Sequence, residues 1–472
     1  MNLLVRQKFT ALKHSRILPL SFFSMKYSDL SAFPETKRKY IPTSGIYPKG
    51  FLVGSLHCGI KKNKNKDLTL ILSTKPCTAS AVFTKNQVVA APVEIDRKLL
   101  NEIRELNKDH IRSIIVNSGV ANSVTGELGY KNGKLMAEAA DKYIDQFDSK
   151  TNRHIENNPE KLLSKSLIMS TGVIGQQLPI EKITTGVKQL EGKLGDSHAH
   201  WMEAAAGFMT TDTFPKIMSK EFELPSRKGK YRFCGIAKGA GMIHPNMATL
   251  LATVTTDASI TQSLLDKALS YAADKSFNSI TVDGDTSTND TVAILANGLA
   301  STENSPWKIS TEDQDFESFK TNLSDFMKDL AILVVRDGEG ATKFIKINVQ
   351  GAETVQQAHT VGMSIATSPL VKTAFYGMDA NWGRILCAAG YSSAKINPQK
   401  IGLSLIPSDN SPPMELVKNG QPLPLDEDRA LSILKLEDIG VEVTLGMGNE
   451  SATVFTCDFS HEYITINGSY RS

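Results

Sequence analysis

Short apolar runs and longer amphipathic stretches follow one another along most of the chain, separated by turns rich in glycine. Runs of Val, Ile, Leu and Thr between such turns predict strands at 67–73, 80–85, 112–119, 165–172, 248–256, 290–298 and 330–335. Apolar positions three and four residues apart predict helices at 133–146, 180–193, 261–276, 312–329 and 427–434. The strands do not alternate regularly with helices, as a doubly wound sheet would require. The pattern therefore predicts a mixed α/β fold with large sheets.

No internal repeat and no linker-like segment divides the chain. Its 472 residues suffice for roughly two to four conventional domains or for one large α/β body. Polar stretches near 148–161 and 302–316 are predicted to be loops. We therefore expect the two halves of the chain to share one core.

The composition is that of an ordinary globular protein, with 41% hydrophobic and 22% charged residues. A formal net charge of +3 and the lack of a long Lys/Arg run argue against a nucleic-acid-binding stripe. No apolar run approaches the roughly 20 residues that span a bilayer, which predicts a protein without a membrane helix. The five cysteines are scattered and never spaced as CxxC, which argues against a disulfide framework or a zinc site and favours a reducing compartment.

The N-terminus differs in composition from the rest of the chain. Residues 1–28 contain five Lys or Arg residues and four serines, and the first acidic residue is Asp29. A basic, acid-poor and mildly amphipathic start is typical of a mitochondrial presequence. The apolar stretch at 17–23 is short and lacks a clear small-residue cleavage site, so it fits a secretory signal less well. We predict a presequence over about 1–26 and import into the mitochondrial matrix, the alternative being a disordered tail.

The segment at 237–258 carries the most chemistry. A loop containing Gly239 and Gly241 leads through His244 to Ala248 and Thr249, and Thr249 opens a β-branched strand. Taken alone, a threonine at the start of a strand is a satisfied β-former in most proteins. Its hydroxyl is a weak nucleophile that needs a base, and its own α-amine becomes available as that base once the preceding peptide bond is broken. A small alanine before the threonine, on a glycine-rich turn, suits such self-cleavage.

The run KGAGMIHPNMATLL resembles the cleavage-site motif of the ornithine acetyltransferase family, also called the arginine biosynthesis bifunctional protein ArgJ family, and the resemblance extends over about 45–472. It implies autocatalytic cleavage between Ala248 and Thr249 into an α chain of 27–248 and a β chain of 249–472, with Thr249 as the nucleophile. It also implies the fold of the family, a layered αββα sandwich in which both chains share one body. That fold resembles the N-terminal-nucleophile hydrolases but is distinct from them.

Other blocks match the family and carry candidate site residues. MSTGVIG at 169–175 resembles the oxyanion-hole loop, so Thr171 and Gly172 would stabilise the tetrahedral intermediate. Without the resemblance, the same run is equally well a tight strand-to-helix turn. The substrate contacts that the resemblance implies are Thr210 (with Thr211 as the near alternative), Lys238, Thr249, Glu339, Asn467 and Ser472. Lys238 would pair with the substrate carboxylate and Glu339 with the amine of ornithine.

Three further blocks, at 117–129, 279–291 and 368–385, also match and are expected to build the frame of the site. The first departs from the family pattern at Val120 and Val124. The Asp, Asn and Arg residues of these blocks raise the alternative of a metal site. The family reaction needs no metal, however, and DGDTSTND lacks the pattern of a calcium-binding EF-hand loop. We therefore expect no metal and no cofactor.

The resemblance implies a glutamate N-acetyltransferase, an acyltransferase of arginine biosynthesis. Thr249 would take the acetyl group of N-acetyl-L-ornithine and pass it to L-glutamate by a ping-pong route. Acetyl-CoA is a possible co-substrate, which would make the enzyme bifunctional, and the family suggests a heterotetramer of two α and two β chains. The alternative is a self-cleaving N-terminal-nucleophile aminopeptidase or amidase, which passes the acyl group to water. A non-catalytic scaffold protein would instead leave the chain uncut.

Overall fold

The computed structural model of the chain describes residues 30–106, 108–151, 163–244, 250–302 and 304–469, so the predicted presequence lies outside the described residues. The strands are β1 Phe51–Leu56, β2 Leu68–Phe83, β3 Ile111–Val120, β4 Ser166–Val173, β5 Lys216–Glu223, β6 Lys230–Lys238, β7 Leu251–Thr256, β8 Thr291–Ala296, β9 Phe344–Ala352, β10 Gly402–Pro407, β11 Met414–Lys418, β12 Gln421–Pro422, β13 Asp438–Thr444 and β14 Glu450–Cys457. The helices are α1 Ala91–Leu106, α2 Gly126–Lys150, α3 Ile180–Gln189, α4 His198–Phe208, α5 Gln262–Lys275, α6 Gln314–Arg336, α7 Val355–Thr367, α8 Pro369–Tyr376, α9 Trp382–Gly390, α10 Glu427–Leu434 and α11 His461–Gly468.

The larger sheet has the strand order β4-β3-β2-β8-β7-β6-β5, and β1 pairs with β2 beside this path. Strand β2 is 16 residues long: its first half pairs with β1 and β3, and its second half pairs with β8. The register shifts between Leu72 and Cys77, around Pro76, which has no N–H to donate to a neighbouring strand. The strands predicted at 67–73 and 80–85 are therefore two halves of one strand that joins two layers.

The alternation of side chains along β2 separates two packed faces. Leu68, Leu70 and Leu72 pack with helices α1, α2 and α3, whereas Ile71 faces the central core. Helix α4 is buried along most of its length and contacts β1, β2 and β3 of one layer and β5 and β6 of the other. Helices α5 and α6 pack on the second layer. This succession of helices, two sheet layers and helices confirms the predicted layered α/β sandwich.

The smaller sheet has the order β12-β11-β10-β13-β9-β14. It is antiparallel except for the pair of β9 and β13. Helices α7, α8, α9 and α10 contribute to its hydrophobic cluster, which includes Ile347, Val361, Phe375 and Ile433. This part of the chain therefore has a core of its own beside the sandwich.

The central core draws on both sides of residue 249. Phe233 on β6 packs edge-on against Phe319 on α6, with ring centroids 5.3 Å apart. Both side chains are fully buried in a cluster that runs from Phe33 to Cys457. The expectation that the two halves of the chain share one core is confirmed for the sandwich, whereas the smaller sheet has a second core.

The strand predicted at 330–335 is wrong, because LAILVV is the last part of helix α6. Leu330, Ala331, Val334 and Val335 are all buried there, since the helix packs against α5, β5, β6 and β14. A buried helix end and a buried strand both give a short apolar run, so hydrophobic periodicity does not distinguish a helix from a strand at this position. The predicted helices coincide with α2, α3, α5, α6 and α10.

Two kinds of feature are absent from the described residues. No helix in those ranges is long and apolar enough to cross a membrane. In the same ranges, no three His, Cys, Asp or Glu side chains are grouped so as to hold a metal ion.

Candidate active site

A cavity of about 500 Å³ lies where the ends of strands β4 and β6 approach the starts of β7 and β8. It is lined by Ala121, Thr171, Gly172, Val173, Ile174, Thr210, Thr211, Lys238, Gly241, Met242, Leu250, Leu251, Ser287, Asn289, Asp290, Glu339, Asn467 and Gly468. Six of these residues are predicted site residues: Thr171, Gly172, Thr210, Lys238, Glu339 and Asn467. Both Thr210 and Thr211 line the cavity, so lining does not distinguish these two alternatives. Residues more than 290 positions apart in the sequence thus meet in one cavity.

The other predicted site residues, Ala248, Thr249 and Ser472, lie outside the described residues. Leu250, the first described residue after Thr249, lines the cavity. The Leu250 carbonyl accepts the N–H of Thr291 at 3.0 Å, so the start of β7 is held beside β8. The role of Thr249 stays a prediction.

Thr171 and Gly172 form one wall of the cavity at the end of β4. Strand β4 runs parallel to β3, and Gly172 faces Gly119 in the register of that pair. Gly172 has a φ of 128°, and a Cβ on it would lie 2.2 Å from the carbonyl carbon of Gly119. Only glycine therefore fits at this position, and the close approach fixes the backbone that presents Thr171 to the cavity.

The residues before β8 connect this wall to the strand of Leu250. Asn289 Nδ2 donates to the Ser170 carbonyl at 2.9 Å, and the N–H of Thr291 donates to the Leu250 carbonyl. Between these two contacts, Asp290 lines the cavity and is 2% exposed. Its Oδ2 atom has no hydrogen-bond partner within the described part of the chain. Burial raises the pKa of Asp290 well above its ordinary value.

The loop that carries Thr210 is held by a buried ion triad. Asp212 accepts the N–H of Thr210 at 2.8 Å and the ammonium of Lys216 at 2.6 Å. Lys216 also pairs with Asp337 at 2.5 Å, and all three charged side chains are fully buried. Asp212 further accepts the N–H of Gly239, at the end of β6, at 2.8 Å. The triad therefore connects three segments of the cavity wall.

The charges of the triad depend on one another. Burial opposes ionisation of Asp212, but the charges of Lys216 and Lys238 outweigh it, and the pKa of Asp212 lies below its ordinary value. Burial alone would lower the pKa of Lys216, yet Asp212 and Asp337 raise it. The pKa of Asp337 is raised, because burial and the charge of Asp212 outweigh Lys216. A lysine cation and an aspartate anion are thus held directly behind the cavity.

Lys238 is a cation in the wall itself. Lys238 is 8% exposed, and within the described ranges its ammonium has no hydrogen-bond or ion-pair partner. Burial and the charge of Lys216 lower the pKa of Lys238, while the charge of Asp212 acts against that shift. A buried ammonium without a partner among the described residues would stabilise a carboxylate that enters the cavity.

Glu339 and Asn467 form a hydrogen-bonded pair in the wall. Asn467 Nδ2, on helix α11, donates to Glu339 Oε2 at 2.7 Å. Glu339 follows α6 and its N–H donates to the Ala240 carbonyl at 2.9 Å. A Cβ on Gly241 would lie 2.3 Å from Glu339 Oε2, so a glycine there lets the carboxylate reach the cavity. The C-terminal helix thus contributes to the cavity.

The DGDTST loop holds the backbone that leads towards residue 245. Asp283 accepts the N–H groups of Met242 at 2.6 Å and Ile243 at 2.9 Å. The Thr286 hydroxyl donates to the His244 carbonyl at 3.0 Å. Met242 has a φ of 56°, a left-handed conformation that residues with a side chain rarely adopt. The loop therefore stabilises an unfavourable backbone conformation three residues before Pro245.

Several residues of this arrangement were not predicted from the sequence: Asp212, Lys216, Asp283, Asn289, Asp290 and Asp337. Asp212 and Lys216 lie in MTTDTFPK at 209–216, Asp337 lies in RDGEGATK at 336–343, and the other three lie in the block at 279–291, but no individual role was predicted for any of them. A usable signal was present in MTTDTFPK, where charged residues flank apolar ones next to a predicted site. Charges that fold into a protein interior need partners, so such residues mark a buried network.

The chain matches the model of the ArgJ family over residues 52–472. A relative from Pyrenophora tritici-repentis, named arginine biosynthesis bifunctional protein ArgJ, mitochondrial, is 52% identical over 93% of each chain. A relative of the same name from Verticillium alfalfae is 49% identical over 98% of this chain and 99% of its own. A crystal structure of arginine biosynthesis bifunctional protein ArgJ from Bacillus halodurans is 40% identical, with a TM-score of 0.42, and covers 46% of this chain and 97% of its own.

The sandwich, the cavity at its strand ends and these matches define an acyltransferase of arginine biosynthesis. The chain belongs to the ArgJ family. It is a mitochondrial protein, as its relatives are. The family, the enzyme class and the compartment predicted from the sequence are confirmed.

Proposed function

We propose that the enzyme is a glutamate N-acetyltransferase that moves the acetyl group of N-acetyl-L-ornithine to L-glutamate through an acetyl-Thr249 intermediate. The observation that carries this proposal is the composition of the cavity. It combines the glycine-turn wall of Thr171, the ammonium of Lys238, which has no partner among the described residues, and the carboxylate–amide pair of Glu339 and Asn467, beside the strand that follows Thr249 in the sequence.

Thr249 becomes a nucleophile when the bond between Ala248 and Thr249 is cut. Its hydroxyl then has a base in its own α-amine, whose ordinary pKa is about 8. Residues 27–248 become the α chain and 249–472 the β chain, after removal of a presequence of about 1–26 in the mitochondrial matrix. The central core supports this division, because a core built from both segments holds them together after cleavage. We expect two α and two β chains in a heterotetramer.

In the first half-reaction, Thr249 Oγ attacks the acetyl carbonyl carbon and the Thr249 amine takes the hydroxyl proton. The oxyanion is stabilised by Thr171 and Gly172, and each donor to it is worth about 3–4 kcal/mol. The Thr249 amine passes this proton to the leaving nitrogen as the carbon–nitrogen bond breaks, ornithine leaves, and the acetyl-threonine ester remains. In the second half-reaction, the glutamate nitrogen attacks the ester carbonyl and gives a proton to the Thr249 amine. The ester carbon–oxygen bond then breaks, Thr249 Oγ regains its proton from the amine, and N-acetylglutamate leaves.

Recognition follows from the charges of the wall. Both amino acids carry an α-carboxylate, which Lys238 would receive. Glu339, oriented by Asn467, would accept the side-chain ammonium of ornithine, and Thr210 and Ser472 would complete the contacts. The relatives are named bifunctional, which supports acetyl-CoA as a second acetyl donor. No other cofactor enters the proposed reaction.

Intact-mass analysis of the purified protein tests the maturation step. Two chains are expected, one of which begins at Thr249, and the Thr249→Ala variant should stay uncut. The processed enzyme, given N-acetyl-L-ornithine and L-glutamate, should form N-acetylglutamate and ornithine in equal amounts. Free acetate without N-acetylglutamate would instead identify an amidase, and an active, uncut chain would refute the mechanism.

A further inference from the structure

The proposed exchange needs a second proton carrier besides the Thr249 amine. The α-nitrogen of ornithine leaves as an amine and ends as an ammonium. Glutamate enters as an ammonium and must lose one proton before its nitrogen can attack, since its α-amino group is mostly protonated at neutral pH. One proton must therefore be given in the first half-reaction and recovered in the second.

We propose that Asp290 is this acid–base residue: it protonates the departing ornithine amine and then deprotonates the incoming glutamate ammonium. This inference rests on the proposed acetyl transfer through Thr249. It assigns a catalytic role to a residue of the DGDTSTND block, which the sequence suggested only as part of the frame.

The titratable groups that line the cavity differ in the partners they already have. Among its described lining residues, the titratable side chains are Lys238, Asp290 and Glu339. Glu339 already accepts a hydrogen bond from Asn467, and Lys238 is the cation that faces the substrate carboxylate. Asp290 is left with one oxygen, Oδ2, that has no partner in the described part of the chain although the residue is 2% exposed.

Asp290 lies between the wall of Thr171 and the strand that follows Thr249 in the sequence. The preceding residue, Asn289, donates to the carbonyl of Ser170, next to the oxyanion wall. The following residue, Thr291, donates to the carbonyl of Leu250, which follows Thr249 in the sequence. Asp290 therefore lies beside the place where the acetyl group is transferred between Thr249 and the substrate nitrogen. The two contacts hold its backbone there.

A purely structural role accounts poorly for the same carboxyl. Buried polar atoms in proteins are hydrogen-bonded with few exceptions, and an unpartnered carboxyl oxygen costs stability. Burial also raises the pKa of Asp290 well above its ordinary value, against the hydrogen bonds of Ser287 and the charge of Lys238, and so favours the protonated carboxyl. A carboxyl that starts protonated can give the first proton, which is what the first half-reaction needs.

The protons balance over one cycle. In the first half-reaction, the amine of Thr249 passes the hydroxyl proton to the leaving nitrogen as the carbon–nitrogen bond breaks, and Asp290 adds its own proton, so ornithine leaves as an ammonium. In the second, Asp290 removes one proton from the glutamate ammonium. As the nitrogen attacks, its next proton returns through the Thr249 amine to Thr249 Oγ. The enzyme ends as it began, with Asp290 protonated.

The test compares donors whose leaving groups differ in their need for a proton. N-acetyl-L-ornithine loses an amine, whereas p-nitrophenyl acetate loses a phenolate that is stable without protonation. The Asp290→Asn variant should be acetylated by N-acetyl-L-ornithine about 10²- to 10⁴-fold more slowly than the unmodified enzyme. Its burst of p-nitrophenolate should stay within about threefold, because general acid catalysis is not required there. Asp285→Asn, an exposed neighbour in the same loop, is the matched control and should react normally with both donors.

A second measurement does not depend on the ester. In Asp290→Ala, added formate should restore at least part of the transfer from N-acetyl-L-ornithine by replacing the missing carboxyl, while Asp290→Glu should retain more activity than Asp290→Asn. Equal losses with both donors, or no recovery with formate, would overturn the role. An Asp290→Asn chain that stays uncut while Asp290→Glu matures would also count against it. If the unmodified enzyme itself forms no N-acetylglutamate, the proposed function fails first.

Discussion

The Lys216 ammonium lies 2.6 Å from the Asp212 carboxylate, and neither side chain is exposed to solvent. Asp212 also binds the N–H groups of Thr210 and Gly239, so this ion pair connects the start of one strand to two parts of the cavity wall. Buried ion pairs add little net stability compared with apolar residues of the same size, because both charges lose their hydration. Their geometry, however, is specific, and here it fixes the loop that carries the proposed substrate contact.

Replacing Lys216 with methionine should destabilise the protein strongly. The change leaves Asp212 and Asp337 buried without their cation, and breaking a buried pair in this way costs about 3–5 kcal/mol. The free energy of unfolding from denaturant titration measures the loss. Lys220→Met, at an exposed position of the same strand, is the control and should stay within about 0.5 kcal/mol. A Lys216→Met protein as stable as the control would show that the triad is not charged as described.

Replacing Gly172 with alanine should impair acetyl transfer more than folding. The new Cβ would meet the Gly119 carbonyl carbon at 2.2 Å, so the wall that presents Thr171 must move. Loss of one oxyanion donor slows such reactions about 10²- to 10³-fold, and we expect kcat to fall by that order. Gly175→Ala is the matched control, since Gly175 also has a positive φ of 82° but has nothing within 4 Å of an added Cβ. Similar kcat values for the two variants would contradict the proposed role of this wall.

The matched blocks of sequence predicted much of the cavity, and none of the buried contacts behind it. Thr171, Thr210, Lys238 and Glu339 lie in separate short blocks, each with its own local pattern. The contact between Lys216 and Asp337 differs from these, because the two residues are 121 positions apart in the sequence. No local sequence pattern includes both of them. Long-range pairs of this type become visible only when the sheet brings the segments together.

The errors in the predicted elements have a similar physical origin. Local patterns report which positions are apolar, but they do not report what covers them. The run at 330–335 is buried at every position except the partly buried Ile332, at the end of α6, and β2 continues through Pro76 because one strand belongs to two layers. Both features are set by tertiary packing, which overrides the local signal.

Replacing Glu339 with glutamine should weaken the binding of N-acetyl-L-ornithine more than that of L-glutamate. The change removes the charge that would bind the side-chain ammonium of ornithine, while Asn467 can still donate to the amide oxygen. A hydrogen bond between charged groups is worth about 1.5–3 kcal/mol, so KM for N-acetyl-L-ornithine should rise roughly 10- to 100-fold. KM for L-glutamate should rise much less. Glu462→Gln, exposed on α11, serves as the control, and an equal rise for both substrates would argue against this contact.

Asp96 should make stability fall as pH rises from acid to neutral. It is 1% exposed, accepts the N–H of Ile168 at 3.0 Å, and burial raises its pKa well above the ordinary value. Between the unfolded pKa, about 3.9, and the higher folded pKa, the folded state binds more protons, so stability decreases with pH. Asp96→Asn cannot titrate, so it should gain stability relative to the unmodified protein as the pH rises above the unfolded pKa of about 3.9. Melting temperatures at several pH values measure this difference. For the control Asp428→Asn, at an exposed site, the difference should not change with pH.

Asp283 should control the speed of self-cleavage rather than acetyl transfer. Its carboxylate accepts the N–H groups of Met242 and Ile243, and it holds Met242 in a left-handed conformation shortly before the proposed scissile bond. In Asp283→Asn, an amide nitrogen would face one of these two donors, and losing a charge-assisted hydrogen bond costs about 1.5–3 kcal/mol. If half or more of that cost appears in the cleavage barrier, maturation slows several-fold to about 100-fold. The fraction of cut chain, followed by intact mass after synthesis is stopped, measures the rate against Asp285→Asn. Once cut, the Asp283→Asn enzyme should transfer acetyl groups at nearly the normal rate. Cleavage as fast as in the control would mean that the backbone held by Asp283 has no part in maturation.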